Sequence, residues 1–321
     1  MSKHPIRPDA QGYLDLMAAN PRPPMGDESI AQMRVIPKEV MAQMIGAFDL
    51  PVGELGEVRD VVMPGPGGDM ELRLFDVRAE RGPGPVVVFY HGGGFVVGSI
   101  DTHAALAAEI SRQLDLPVVS VEYRLAPEHK WPAGIDDGEA AARWIAENGA
   151  AFGREFTGLV LCGDSAGGNL TLVTALALRD RPAALPVILQ LPIYPKADSS
   201  ESYESYVLFG EGYGLSREDM AYFDRVYAAD PHHWRHSPFV ADLSGLPPMV
   251  MATAGLDPLR DEGRAFAAKA VEAGVQVVYR ECTGTIHGFA TYRKAIPSAQ
   301  TDLDTIMAHA RLLLAEAGAG G

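Results

Sequence analysis

The chemistry that this sequence could carry centres on one serine between two glycines. Ser165 stands in Gly163-Asp-Ser-Ala-Gly167, after the apolar run 158–162 and before the leucine- and alanine-rich run 169–178. The first run predicts a short buried strand, and the second is long enough for a helix. A serine on such a turn projects its hydroxyl from a strained backbone, and the glycines keep the turn free of side chains. We predict that Ser165 is a nucleophile; a plain glycine-rich turn is the alternative.

A serine nucleophile needs a general base, and His287 is the best candidate among the 9 histidines. It lies in the segment Gly284-Thr-Ile-His-Gly-Phe289, after the predicted strand 275–281. A glycine-flanked loop beyond a strand end can bring an imidazole over Ser165. The alternative is a surface-loop histidine without a catalytic role.

The acid that orients the imidazole is expected at the end of a neighbouring strand. Asp257 fits, because it follows the predicted strand 248–254. Asp261 and Glu262 compete with it, but they fall in the first turn of the next predicted helix, where negative charge is favoured for its own reason. The predicted catalytic residues therefore occur in the order serine, aspartate, histidine, which is one of the known chain orders of such triads.

A run of three glycines, His91-Gly-Gly-Gly-Phe95, follows the continuous apolar strand predicted at 86–90. Glycines let bare backbone approach a substrate and point N–H groups at the negative charge that develops in acyl transfer. A flexible loop or a phosphate cradle is the alternative, but the sequence has neither Gly-x-Gly-x-x-Gly nor a Walker lysine. We predict a structural role for His91. The expected oxyanion-hole donors are the N–H groups of Gly93, Gly94 and Ala166.

The elements that must position these residues alternate between strand and helix over most of the chain. Two strands, 58–63 and 70–77, are joined by a proline- and glycine-rich turn and predict an antiparallel hairpin. The alternation that follows predicts an α/β fold with a mostly parallel, doubly wound sheet. The further predicted strands are 86–90, 118–123, 158–162, 186–192, 248–254 and 275–281, and the further helices are 103–114, 136–147, 169–178, 260–273 and 298–317.

Two segments stand outside this alternation. Residues 1–50 carry two amphipathic helical stretches, 10–17 and 37–48, before the first strand. The long segment 197–246 lies between two strands and includes a predicted helix at 217–227, and such an insertion most simply covers a site at the strand ends. We predict N-terminal cap helices at 1–50, core at 51–196, a cap insertion at 197–246 and core again at 247–321. For residues 1–50 the alternative is a peripheral helical arm without a role at the site.

Composition excludes several function classes. The 321 residues carry a formal charge of −15, and no basic patch interleaved with aromatics is present, so we predict no nucleic-acid partner. The N-terminus lacks the apolar core of a signal peptide, no apolar run approaches a membrane span, and the 2 cysteines lie in apolar segments, which together predict a cytoplasmic protein without a stable membrane anchor. His232, His233 and His236 lack a companion ligand pattern, so no metal site is predicted.

Taken together, the motifs resemble the hormone-sensitive-lipase-like branch of α/β-hydrolases, the bacterial family IV carboxylesterases, in the subgroup with a Gly-Asp-Ser-Ala-Gly serine motif. The resemblance implies an α/β-hydrolase fold with an eight-stranded sheet and a helical cap, no cofactor, and hydrolysis of short- to medium-chain acyl esters. It also implies a homodimer in many members, formed through a sheet edge. The motifs that carry it, in family order, are His91–Phe95, Tyr123-Arg-Leu-Ala-Pro-Glu-His129, Gly163–Gly168, Asp257–Asp261 and His287-Gly-Phe289.

We therefore predict a carboxylesterase that acts on a small-molecule ester through an acyl-enzyme. The same triad would also serve an amidase, peptidase or deacetylase. A non-catalytic receptor on this fold is the other alternative, although receptors of this resemblance lack the triad histidine that is present here. A true lipase is disfavoured. Candidate pocket-lining residues, for which core packing is an equal alternative, are Phe95, Leu208, Phe209, Ile286 and Phe289.

Overall fold

The computed structural model describes residues 4–319 of the chain, and within them eight strands form one sheet in the order β1-β2-β4-β3-β5-β6-β7-β8. The first two strands form the predicted antiparallel hairpin, β2 is antiparallel to β4, and every later neighbour pair is parallel. The strands are β1 Glu57–Gly65, β2 Gly68–Asp76, β3 Gly84–Tyr90, β4 Val118–Val121, β5 Phe156–Asp164, β6 Val187–Ile193, β7 Met249–Leu256 and β8 Val277–Ile286.

Helices cover both faces of this sheet, as the alternation predicts. They are α1 Pro8–Ala19, α2 Asp27–Arg34, α3 Lys38–Gly46, α4 Ala104–Leu114, α5 Ala133–Glu147, α6 Ala166–Asp180, α7 Glu204–Leu208, α8 Arg217–Tyr227, α9 Arg260–Glu272 and α10 Ser298–Ala319. Short 3-10 turns lie at Gly149–Phe152, Pro238–Val240 and Phe289–Thr291. In the part of the chain that the structure describes, no helix combines the length and the apolar character that a membrane span needs.

The central strand β3 carries no polar side chain except the Tyr90 hydroxyl, because both of its faces are buried. Val86 and Val88 of β3 belong to the cluster that also holds side chains of α5, α6 and α9. Val87 and Phe89 belong to a second cluster with α4 and α10. Successive side chains of a strand point to opposite faces, so a strand between two helical layers has no polar side.

Three segments differ from the sequence prediction. The short helices α2 and α7 were not predicted, because 8 and 5 residues give too little periodicity to separate a helix from a loop. Strand β8 continues past the predicted end at 281 to Ile286, directly before His287. It can do so because its register against β7 shifts between Ala254 and Leu256, and Gly284 takes a positive φ of 75° there.

The N-terminal segment contacts two different parts of the molecule. Ala10 and Tyr13 of α1 are buried in the cluster that contains α10, and Arg7 pairs with Asp302 of α10 at 2.5 Å. Further along, Asp27 at the start of α2 pairs with Arg225 of α8 at 3.1 Å. The N-terminal helices thus contact α10 through α1 and α8 through α2.

Candidate active site

Four loop or turn positions converge at one edge of the sheet. Ser165, Tyr194, Asp257 and His287 directly follow β5, β6, β7 and β8 in turn. These four strands are mutually parallel neighbours, so their carboxyl ends lie side by side. In open α/β sheets, this edge is where sites form. The topology therefore gathers residues that are up to 122 positions apart in the chain.

The turn at Ser165 is strained and is closed by backbone contacts. Ser165 has φ 55° and ψ −116°, and its N–H donates to the Ile193 carbonyl at 2.9 Å. A Cβ on Gly167 would lie 1.9 Å from the Tyr90 carbonyl oxygen, and one on Gly163 would lie 2.3 Å from the Gly167 carbonyl oxygen. No side chain fits at either glycine, so the turn packs backbone against backbone. This explains the glycine spacing on which the sequence prediction depended.

Ser165, His287 and Asp257 form one chain of hydrogen bonds. His287 Nε2 lies 2.8 Å from Ser165 Oγ, and His287 Nδ1 lies 2.7 Å from Asp257 Oδ2. The other oxygen of Asp257 accepts the Leu259 N–H at 2.8 Å, which fixes the carboxylate. With the proton on Nδ1, the imidazole donates to Asp257 and accepts from the serine hydroxyl through Nε2. Asp261 and Glu262, the competing acids, are bonded elsewhere, to Ser205 and to the Ala197 N–H.

The electrostatics at His287 favour its charged form. Burial by itself would lower the pKa of the imidazole, but the charge and hydrogen bond of Asp257, followed by the charges of Asp164 and Glu262, raise this pKa above its usual value. A base of this kind is more easily protonated in the course of a reaction. The arrangement can therefore take a proton from Ser165 and hold it.

The glycine loop after β3 presents unpaired donors beside this turn. Gly93 and Gly94 have φ values of 123° and 61°. Among the backbone hydrogen bonds of loops and turns within residues 4–319, neither of their N–H groups is a donor. Ala166 is the first residue of α6, where the helix leaves an N–H without a partner. Gly92, which precedes Gly93 in the loop, donates its N–H to the Asp164 carboxylate at 2.8 Å. This hydrogen bond connects the loop to the end of β5.

His91 is buried at the base of the same loop. Its Nδ1 contacts the Gly92 carbonyl at 2.8 Å, and its ring stacks on Tyr123 with 4.3 Å between centroids. Burial, reinforced by the charge of His103, lowers the pKa of His91 to about 4. A neutral, buried imidazole with these contacts fits the predicted structural role.

Helix α8 contacts the glycine loop. A Cβ on Gly94 would lie 2.4 Å from the ring of Phe223, which belongs to α8. Arg22, in the link between α1 and α2, pairs with Asp219 of α8 at 2.6 Å. The amphipathic pattern of α8 predicted a helix, but it gave no signal that Phe223 faces the loop.

The candidate pocket residues are distributed unevenly. Phe95 stacks on Tyr227 with 4.2 Å between centroids, and Phe289 packs against Tyr194 at 5.0 Å. Ile286 is fully buried, whereas Leu208 keeps 38 % of its surface exposed. Phe209 is also buried and packs edge-on against Tyr213 at 5.3 Å. Four of the five thus make core contacts, and only Leu208 presents an open apolar surface.

Two residues at this edge, Tyr194 and Asp164, were not among the predicted site residues. The ring of Tyr194 lies 4.9 Å from that of His287, and its backbone takes a positive φ of 36°. Its place at the end of a central strand was the one signal that could have indicated it. The carboxylate of Asp164 is 3 % exposed and contacts the glycine loop, and its place in the serine motif gave no signal of this contact.

His232, His233 and His236 do not form a metal centre with other ligands in the described part of the chain. No group of three or more histidine, cysteine, aspartate or glutamate side chains there could hold a metal ion. His236 is buried, and burial lowers its pKa to about 4. His233 packs edge-on against Trp131 at 5.0 Å.

Comparison with known proteins places these features in a family. Residues 87–291 match the model of a family described by the α/β-hydrolase fold. The carboxylic ester hydrolase LipN of Mycobacterium tuberculosis is 40 % identical over 73 % of this chain, and the match spans 64 % of LipN. An ethyl acetate hydrolase of Pseudomonas putida is 35 % identical over 93 % of this chain and 96 % of its own length. A solved esterase structure from Pyrobaculum calidifontis superposes with a TM-score of 0.86 at 34 % identity, over 97 % of this chain and 99 % of that one.

The chain belongs to the α/β-hydrolase family, as the sheet order and the turn at Ser165 had indicated. Within that family it is a serine hydrolase of the hormone-sensitive-lipase-like branch, a carboxylesterase. The resemblance seen in the sequence motifs is thereby confirmed, and so is the eight-stranded, mostly parallel sheet with its helices.

Proposed function

We propose that this carboxylesterase hydrolyses short- to medium-chain acyl esters through an acyl-enzyme on Ser165, with His287 as the base and Asp257 as the acid that orients it. The observation that carries the proposal is the continuous hydrogen-bond chain Ser165–His287–Asp257, with distances of 2.8 and 2.7 Å. Nucleophile, base and orienting group within hydrogen-bond reach of one another are what covalent acyl transfer requires.

The first half-reaction transfers the acyl group to the enzyme. Ser165 Oγ attacks the ester carbonyl carbon as its proton passes to His287 Nε2, and the carbonyl oxygen becomes an oxyanion. The N–H groups of Gly93, Gly94 and Ala166 donate to this oxyanion. When the carbon–oxygen bond of the ester breaks, His287 gives its proton to the leaving alcohol. The product of this half-reaction is the free alcohol and an ester on Ser165.

The second half-reaction repeats these roles with water. His287 takes a proton from a water molecule whose oxygen attacks the acyl carbon, and the same N–H groups hold the second oxyanion. The proton then returns to Ser165 Oγ as the acyl–oxygen bond breaks. The carboxylic acid leaves, and the enzyme regains its starting state.

The cap supports the preference for smaller acyl groups. We propose that residues 1–50 and 197–246 form a cap over the site, because Phe223 of α8 lies against Gly94 and Arg22 pairs with Asp219. We expect the Phe223 ring of α8, which lies against the glycine loop, to limit the room for a long acyl chain. The similarity to a Pseudomonas putida protein named for ethyl acetate agrees with this preference.

The test is hydrolysis of p-nitrophenyl esters from acetate to palmitate by the wild type and by Ser165→Ala. We expect a maximum at short or medium length and a loss of roughly 10³-fold or more in kcat/KM for the variant. Ser244→Ala, an exposed serine outside the site, is the matched control and is expected to keep full activity. Near-wild-type turnover by Ser165→Ala would rule out the proposed nucleophile.

A matched anilide series separates the ester preference from amidase or deacetylase action. For an esterase we expect p-nitrophenyl esters to be hydrolysed far faster than the p-nitroanilides of the same acids. Comparable kcat/KM for both series would favour the amidase alternative. Labelling of Ser165 by a fluorophosphonate would separate either enzyme from a receptor, which should not be labelled.

Assembly and location complete the proposal. We propose a homodimer formed through β8, because β8 is an edge strand of the sheet and its backbone can pair with a second copy. Light scattering coupled to size exclusion gives the mass that tests it.

We also propose a cytoplasmic location, supported by Cys162 and Cys282, which are both buried and unpaired. Fractionation of cells that express the protein tests this location.

A further inference from the structure

The carboxylate directly before the nucleophile has no part in the reaction steps given above. Asp164 is 3 % exposed, and its Oδ1 accepts the Gly92 N–H at 2.8 Å. His103 Nε2 lies 3.4 Å from the same oxygen, and the Tyr194 hydroxyl lies 3.5 Å from Oδ2. A buried charge is costly unless polar partners surround it, so its retention in this turn calls for a physical reason.

The contact with Gly92 joins the two halves of the site. Gly92 precedes the donors of the glycine loop, and Asp164 precedes Ser165. A Cβ on Gly92 would lie 2.5 Å from Asp164 Oδ2, so the loop can approach the carboxylate this closely only through a glycine. The distance between the serine hydroxyl and the loop N–H groups therefore depends on this carboxylate.

The contact with Tyr194 extends toward the base. The Tyr194 ring lies 4.9 Å from the His287 ring, while its hydroxyl reaches Asp164. Burial by itself would raise the pKa of Asp164, but the charge and hydrogen bond of His103 and the Gly92 N–H lower it below its usual value. The carboxylate is thus ionised at neutral pH and acts on His287 as a second negative charge after Asp257.

We propose that Asp164 is a positioning residue for the esterase reaction: it holds the glycine loop against the nucleophile turn and adds a negative charge beneath His287. This inference rests on the proposed roles of Ser165 and His287. The titratable groups that interact with Asp164 are His91, His103, Tyr123, Cys162, Tyr194, His287 and Tyr292. Those that interact with His287 are Asp164, Tyr194, Asp257 and Glu262.

Two substitutions separate the charge from the hydrogen bond. Asp164→Asn keeps an oxygen that can accept the Gly92 N–H but removes the charge. We expect the acid limb of the kcat/KM profile for p-nitrophenyl butyrate to move to lower pH, because a neighbouring anion no longer favours the imidazolium.

Gly92→Ala keeps the charge but pushes the carboxylate away. We expect kcat per active site to fall on the order of 10²-fold with KM little changed, because the loop donors are displaced by about 1 Å.

The matched control is Asp76→Asn, which neutralises a fully buried carboxylate at the opposite end of the sheet, where it binds Arg81 and Arg154. This variant is expected to lose thermal stability but to keep the wild-type acid limb and the wild-type kcat per titrated site. A carboxylate with a merely structural role would behave in the same way at position 164. Active-site titration with a fluorophosphonate removes the effect of any unfolded fraction.

Two results would overturn the inference alone: an unmoved acid limb in Asp164→Asn, or wild-type kcat per titrated site in Gly92→Ala. Because Gly92→Ala leaves Asp164 intact, it decides the matter if Asp164→Asn does not fold. A wild-type enzyme that the fluorophosphonate does not label at Ser165 would overturn the proposed function, and this inference with it. A labelled wild type with unaffected variants would overturn only the role of Asp164.

Discussion

Gly94→Ala is the substitution whose effect the structure defines most sharply. The new Cβ would lie 2.4 to 2.7 Å from three atoms of the Phe223 ring, far inside ordinary van der Waals contact, and φ at this position is 61°. Alanine tolerates this left-handed conformation at a cost of about 1–2 kcal/mol. The steric overlap, by contrast, is with a side chain of α8. Either the Phe223 side chain with α8 or the glycine loop must therefore move.

The magnitude follows from how far the loop moves. A displacement of about 1 Å in an oxyanion donor costs on the order of 10² in kcat, or about 2.7 kcal/mol at 1.36 kcal/mol per factor of ten. Removal of the ring in Gly94→Ala/Phe223→Ala leaves only the backbone strain. We compare the loss of kcat/KM that Gly94→Ala causes in the wild type with the loss that it causes in Phe223→Ala. We expect the second loss to be at least about 10-fold smaller than the first.

Gly93→Ala supplies the contrast within the same loop. Its Cβ would lie 2.0 Å from the Val97 carbonyl oxygen, which is backbone, and its φ of 123° is far less accessible to alanine. Adding Phe223→Ala to Gly93→Ala should therefore restore none of the lost kcat/KM. The assay is kcat/KM on p-nitrophenyl butyrate, normalised by active-site titration, with thermal unfolding to follow stability. Equal losses for Gly94→Ala with and without Phe223, a coupling below about 0.5 kcal/mol, would refute the reasoning.

Two further predictions concern the acid and the buried ion pair. Asp257→Asn should lower kcat by roughly 10³-fold to 10⁴-fold. It should also move the acid limb of the kcat/KM profile to lower pH, because Asp257 raises the pKa of His287 and the neutral imidazole is the active base. A pH series of kcat/KM measures the shift, and an unmoved acid limb would contradict the prediction. Asp49→Ala should destabilise the fold by about 3–5 kcal/mol, because it removes the carboxylate that binds the buried guanidinium of Arg293 at 2.7 and 2.9 Å. Within residues 4–319, only the longer contacts of this guanidinium with Gln300 at 3.4 Å and Glu109 at 3.9 Å would remain. Denaturant unfolding measures the loss, and a loss under about 1 kcal/mol would count against this prediction.

The sequence was most informative where chemistry and local backbone needs coincide. Ser165, Asp257 and His287 were each found from a strand end and a loop composition, and the structure brings them into one hydrogen-bonded chain. Glycines around the serine and in the loop could be interpreted because positive φ values and close backbone contacts demand them at those places. The same local signals gave the hairpin of β1 and β2 and the apolar central strands. Their bounds shifted by a few residues, because strand ends depend on the neighbouring strand.

The boundaries of the cap and the lining of the pocket were less accessible. Phe209, Ile286 and Phe289 are among the predicted pocket residues, yet each is buried among core side chains. A loop phenylalanine looks the same in a sequence whether it faces a substrate or a core. Whether such a residue faces a substrate or the core depends on where α7 and α8 pack. The sequence of a short or amphipathic helix does not show which surface the helix packs against.

By itself, the sequence determined the fold class, the alternation of strands and helices, and which residues could act as nucleophile, base, acid and oxyanion donors. Each of these depends on patterns within about ten neighbouring residues. Tertiary structure alone decided that Asp164 holds Gly92, that Tyr194 lies against His287, and that Phe223 closes over Gly94. Those contacts join segments up to about 130 positions apart, and no local pattern encodes them, because they arise only when parallel strands bring their ends to one edge of the sheet.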